Sequence, residues 1–127
     1  MEENSINFNE QFRIRTKTFA IDLCKFLETV PQKEVTKNII RQNIRSGTSV
    51  AANFRAACRS RSDAEYYSKL CTVVEECDET IFWLELIEEI NPENKEKENS
   101  LINEAKELLY VFSTTKKKLK NKLYYKK

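Results

Sequence analysis

The chain has 127 residues, with 22 Lys and Arg against 20 Asp and Glu and no His. That length suits one domain with a single core. Lack of His removes the commonest general base, the usual partner of a Ser or Cys nucleophile and half of the usual zinc ligand set. One Gly and two Pro leave little turn material, which suits a few long helices and suits a hairpin-rich sheet poorly.

The first predicted helix spans about 8–30, where Phe8, Phe12, Phe19, Leu23, Phe26 and Val30 recur at helical spacing. Asn7 with Glu10 is read as a capping-box variant, and Pro31 closes the segment. The second spans about 33–58, with Val35, Ile39, Ile44, Val50, Ala51, Phe54 and Ala57 on one broad apolar side. Lys37, Arg41, Arg45, Arg55 and Arg59 form a basic row on a different side, in a stretch without acid from Val35 to Ser62. Gly47, the only glycine, falls on the apolar side with Ala51. Glycine within a helix costs about 1 kcal/mol relative to Ala, so the expectation is a neighbouring helix packed closely at Gly47 and Ala51.

Ser62 followed by Glu65 is a capping signature for a third helix, about 62–90, which ends at Asn91-Pro92. Its main stripe is Tyr67, Leu70, Cys71, Val74, Cys77, Ile81 and Leu84, and Phe82, Trp83, Leu86 and Ile90 lie off it. A helix apolar on two sides is usually buried twice, so those four residues are the expected subunit interface, with Trp83 as anchor. Residues 92–99 are read as a charged linker and 100–121 as the fourth helix, with Leu101, Ala105, Leu108, Phe112 and Leu119 in register. The expected architecture is one all-α domain, an antiparallel up-down four-helix bundle that self-associates.

Charge is unevenly placed. Between 75 and 107 the charged residues are mostly acidic, whereas 116–127 holds seven lysines and no acid. The basic row and Lys116, Lys117, Lys118 and Lys120 are the candidate nucleic-acid contacts, since guanidinium and ammonium groups along a helix can track phosphates. Tyr124 and Tyr125 could stack on bases. The competing reading is a row paired with the acidic third helix and a tail that frays as a solvated helix end.

Other polar residues carry less. Asn53 is expected to bond a neighbouring backbone or hydroxyl group, and Ser46, Thr48 and Ser49 are read as packing residues. Cys24, Cys58, Cys71 and Cys77 include no C-x-x-C pair and are read as small hydrophobes. No catalytic, cofactor or metal site is expected; a di-iron bundle needs inward Glu-x-x-His elements. No apolar run approaches the length of a membrane span, and the expected compartment is the cytoplasm.

The segment RSGTSVAANFRAACRSRS, 45–62, followed by VVEECDETIFWLELIEE, 73–89, closely resembles the bacterial four helix bundle protein family. That family includes proteins encoded in the intervening sequences of large-subunit ribosomal RNA genes. The likeness is strongest over 42–89, and the aromatic first helix and the Asn-Pro break extend it over nearly the whole chain. Many members have Glu-Gly soon after the S-x-x-x-N segment, whereas Arg55-Ala56-Ala57-Cys58 stands here, so no role tied to that Glu carries over. The resemblance implies a homopentamer around a central opening, with no catalytic activity. It also implies a distant likeness to the accessory protein of diversity-generating retroelements, a basic pentameric bundle that binds nucleic acid and a reverse transcriptase. The leading expectation is thus a non-enzymatic oligomer that binds RNA, and the alternative is a homopentameric scaffold for another protein.

Overall fold

Pro31, the turn before Ser62 and the Asn91-Pro92 break divide the chain into four long helices. The computed structural model describes residues 3–125, with side chains from residue 7 onward. Helices α1 (Glu3–Glu28), α2 (Glu34–Ala57), α3 (Asp63–Ile90) and α4 (Lys95–Tyr124) run alternately up and down. Each packs on its chain neighbours, and α1 and α4 close the ring. Among the described residues there is no strand.

The breaks have local causes. Thr36 Oγ1 accepts from the Lys33 amide at 2.8 Å and donates to the Pro31 carbonyl at 2.8 Å, which ties the turn to the start of α2. Ser62 is extended and its hydroxyl accepts from the Glu65 amide at 3.1 Å, the expected cap of α3. Asn94 enters α4 in the left-handed region, φ 58°, which Asn tolerates better than most residues.

The helix bounds differ from expectation at both termini. α1 starts at Glu3, so Asn7 lies inside it rather than at a cap. α4 starts at Lys95, and the charged segment read as a linker forms its first turns. Its Glu98 is fully buried, which polar composition alone does not reveal. The lysine-rich end stays helical to Tyr124 instead of fraying near 121, and Lys126 and Lys127 lie outside the described residues.

The core is built from one stripe per helix. Phe12, Phe54 and Phe112 meet at one level, with ring centroids 5.6 Å apart for Phe12–Phe112 and 4.9 Å for Phe54–Phe112. Nearer the opposite end, Leu23, Leu27, Leu84 and Ile87 are fully buried. On α2 the buried stripe runs through Ile39, Ile40, Asn43, Ser46, Gly47, Val50, Phe54 and Ala57. Val35 and Ile44, expected on that side, are exposed because the stripe is rotated toward Asn43 and Ser46. On α3, Val73 and Ile87 are buried, whereas Tyr67, Cys71 and Val74 are only half-buried. All four cysteines are free thiols; Cys77 is buried and the rest are half-buried.

Gly47 meets a neighbour on each side. A Cβ there would overlap Leu23 Cδ2 of α1 and touch Thr80 Cγ2 of α3 at 3.7 Å. Close approach is therefore the reason for the glycine; Ala51, one turn on, is half-buried. One level up, Thr80 Oγ1 donates to Ser46 Oγ at 3.0 Å, which fixes the α2–α3 register.

A candidate nucleic-acid interface

The basic row separates into two groups. Lys37, Arg41 and Arg55 are exposed on α2, whereas Arg59, expected on the same helix face, is exposed in the turn that follows because the helix ends at Ala57. None of the four forms an ion pair among the described residues. Arg45 instead turns toward α3, where Nη1 lies 3.3 Å from Glu76 Oε2 and Nη2 contacts Glu79. These acids raise the pKa of the Arg45 guanidinium, the Glu79 hydrogen bond foremost. Glu79 is held below the usual carboxylate range, first by the Trp83 indole N–H at 3.2 Å and then by Arg45. Of the five, Arg45 is thus the member already neutralised by the acidic helix.

The antiparallel path carries the C-terminal ends of α2 and α4 to one end of the bundle, as the Phe54–Phe112 contact shows. Arg55 follows Phe54, and Lys116 lies one turn beyond Phe112. Lys117, Lys118 and Lys120 are exposed and Lys116 is half-buried. Arg61, absent from the expected row, follows Arg59 in the connection after α2 and is exposed at the same end. Lys122 is engaged, with Nζ 2.9 Å from Asp63 Oδ2. Tyr124 meets Tyr67 in a T-shaped contact with ring centroids 5.9 Å apart, and Tyr124 and Tyr125 are both exposed. This end concentrates cations along with aromatic rings, the two ingredients of a single-strand surface.

The rest of the surface is different. Asn53 Nδ2 donates to the Ser49 carbonyl and hydroxyl at 2.9 and 2.8 Å, so it serves its own helix as expected. Phe82 and Ile90 are about half exposed and Trp83 and Leu86 half-buried, leaving apolar surface along α3. Between α1 and α4 lies an open groove of about 840 Å³, crossed by Arg15. Its guanidinium binds Glu104 at 2.7 and 2.8 Å and Glu107 at 2.8 Å and lies over the Phe12 ring. Periodicity hides this clasp, because its partners lie 89 or more residues apart in sequence. Among the described residues no three His, Cys, Asp or Glu side chains converge as a metal would require. Among the described residues no helix is long and apolar enough to cross a membrane.

Comparison with known proteins agrees with this arrangement of helices. The family described as 23S rRNA-intervening sequence protein matches residues 11–114. The chain belongs to that family. A solved structure of a protein of unknown function from the S23 ribosomal protein family of Bacteroides thetaiotaomicron superposes with a TM-score of 0.75 at 27% identity. The match covers 83% of this chain and 97% of that one. No curated protein matches. The match to the intervening-sequence family runs from inside α1 to inside α4, so it takes in all of α2 with its basic row.

Proposed function

We propose that this chain is a non-enzymatic, self-associating member of the 23S rRNA-intervening sequence protein family that binds RNA along α2 and at its basic end. Lys37, Arg41 and Arg55 contact phosphates from α2 and Arg59 from the turn after it, and Lys116, Lys117, Lys118 and Lys120 extend the contact along α4. The observation that carries this reading is that Lys37, Arg41, Arg55 and Arg59 are exposed and lack acidic partners among the described residues. Structural pairing would have used them as it uses Arg45. Polarisation of a labelled single-stranded RNA, titrated at several salt concentrations, tests it. Removing one phosphate-binding side chain should reduce the salt slope by about 0.7, so Arg55→Ala with Arg59→Ala should reduce it by about 1.4. No binding at low salt would sink the reading.

Self-association belongs to the same proposal: Phe82, Trp83, Leu86 and Ile90 form the contact between copies, with a pentamer as the expected assembly and the cytoplasm as the compartment. A scaffold for another protein is the second reading, supported by the apolar α3 surface standing apart from the basic row. Capture of a protein partner that survives nuclease treatment, without RNA affinity, would favour it.

A further inference from the structure

A second concavity, of about 360 Å³, lies at the basic end between α1, the start of α3 and the end of α4. It is lined by Phe8, Asn9, Tyr66, Thr115, Lys118 and Leu119, with the Asp63–Lys122 ion pair at its rim. Its size falls within the roughly 300–1,000 Å³ of small-molecule sites.

Asn9 gives the cleft its chemistry. The residue is 8% exposed, and its Oδ1 accepts from the Tyr66 hydroxyl at 2.7 Å. Burial pushes the Tyr66 phenol up to about 12, so the hydroxyl remains a donor at neutral pH. That bond orients the amide, and Asn9 Nδ2 donates to no protein group among the described residues. Nδ2 is thus an open donor, on an otherwise buried residue, at the wall of the cleft. Phe8 and Tyr66, both half-buried, supply aromatic surface, Leu119 an apolar side and exposed Lys118 a cation at the mouth.

We propose that this cleft is a nucleotide site, which takes one unstacked base by its acceptor edge on Asn9 Nδ2, against Phe8 and Tyr66, with the phosphate on Lys118. The base and phosphate come from a free mononucleotide or from an RNA strand held by the basic end. The second source rests on the RNA reading; the first stands without it.

The full chain, ¹⁵N-labelled, is titrated with uridine 5′-monophosphate and, separately, with ribose 5-phosphate. UMP should move the Asn9 side-chain amide resonances while ribose 5-phosphate leaves them in place. Asn9→Asp keeps the acceptor for Tyr66 but removes both donors, and should weaken UMP about tenfold. Thr115→Phe fills the cleft from a half-buried position on the surface of α4 and should do the same if the Asp variant fails to fold. UMP and ribose 5-phosphate moving the same lysine signals alone, or UMP moving none, would overturn the proposal. A uridine hexamer and an abasic hexamer of equal charge separate the two readings. Hexamers bound equally, with Asn9 unmoved by UMP, leave RNA binding standing and remove the base site. Loss of both hexamers with UMP retained confines the site to free nucleotides.

Discussion

Glu98 carries a carboxyl group into the core with neither oxygen hydrogen-bonded. Desolvation and, next, the nearby Glu88 carboxylate push its pKa up from 4.5 to about 7, with Lys95 acting weakly in the other direction. The sign of the pH effect follows from linkage. The folded chain keeps this proton up to about pH 7, whereas the unfolded chain releases it near 4.5. The stability it contributes is present below the lower value and is lost as pH rises through the upper one. Across that interval the loss is about 3 kcal/mol. Urea unfolding of Glu98→Gln beside the parent at pH 5 and pH 8 checks this: the variant should gain about that much relative to the parent at the higher pH. An unchanged difference between the two would mean that the ionised carboxylate has found a partner.

At the scale of helices, the closest approach is organised around Gly47. Adding a methyl group there gains about 1 kcal/mol of helix propensity but forces aside the fully buried Leu23. Overpacking costs about 1–3 kcal/mol, so Gly47→Ala should be net destabilising by about 1 kcal/mol. Leu23→Ala made alongside should remove most of that cost, a non-additivity that equilibrium unfolding can measure. Additive effects would show that Leu23 is not the obstacle. Gly47 is legible in sequence because a lone glycine amid helix formers signals that a neighbour needs the room. Ser62, Pro31 and the self-serving Asn53 are legible for the same kind of local reason. Arg45 is not, since its partners Glu76 and Glu79 depend on the rotation and register of two helices, which periodicity leaves open. The start of α4 escapes the pattern because its first turn buries Glu98 rather than an apolar residue, so no apolar stripe announces it.

For the whole molecule, apolar patterning yields four helices and their up-down order, and it half resolves the basic row. The face pattern names its members, but only packing separates Arg45, exposed yet paired with Glu76 and Glu79, from Lys37, Arg41, Arg55 and Arg59, which have no acidic partner among the described residues. The Asn9–Tyr66 pair is invisible in sequence, since 57 residues separate its members and neither belongs to a motif. The proposed self-association gives a further prediction. Trp83 is half-buried against the edge of Phe82, with ring centroids 4.9 Å apart. Trp83→Glu places a charge in that patch and should shift the mass measured by light scattering toward a monomer of about 15 kDa, the mass of one chain. An unchanged mass would remove Trp83 from the interface.

The clasp between α1 and α4 has a consequence for every experiment in which salt is varied. Charge pairs also join α2 to α3, through Arg45 with Glu76 and Glu79, and α3 to α4, through Asp63 with Lys122; on this seam Arg15, Glu104 and Glu107 stand beside an open groove. Added ions weaken partly exposed charge pairs while strengthening apolar burial only slightly, if at all. Ionic strength therefore acts on the packing of the helices as well as on any bound polyanion. Salt that weakens the proposed RNA contact at the basic end also loosens the seam between the first and last helices. Amide exchange along α1 and α4 should rise with salt whether or not RNA is present.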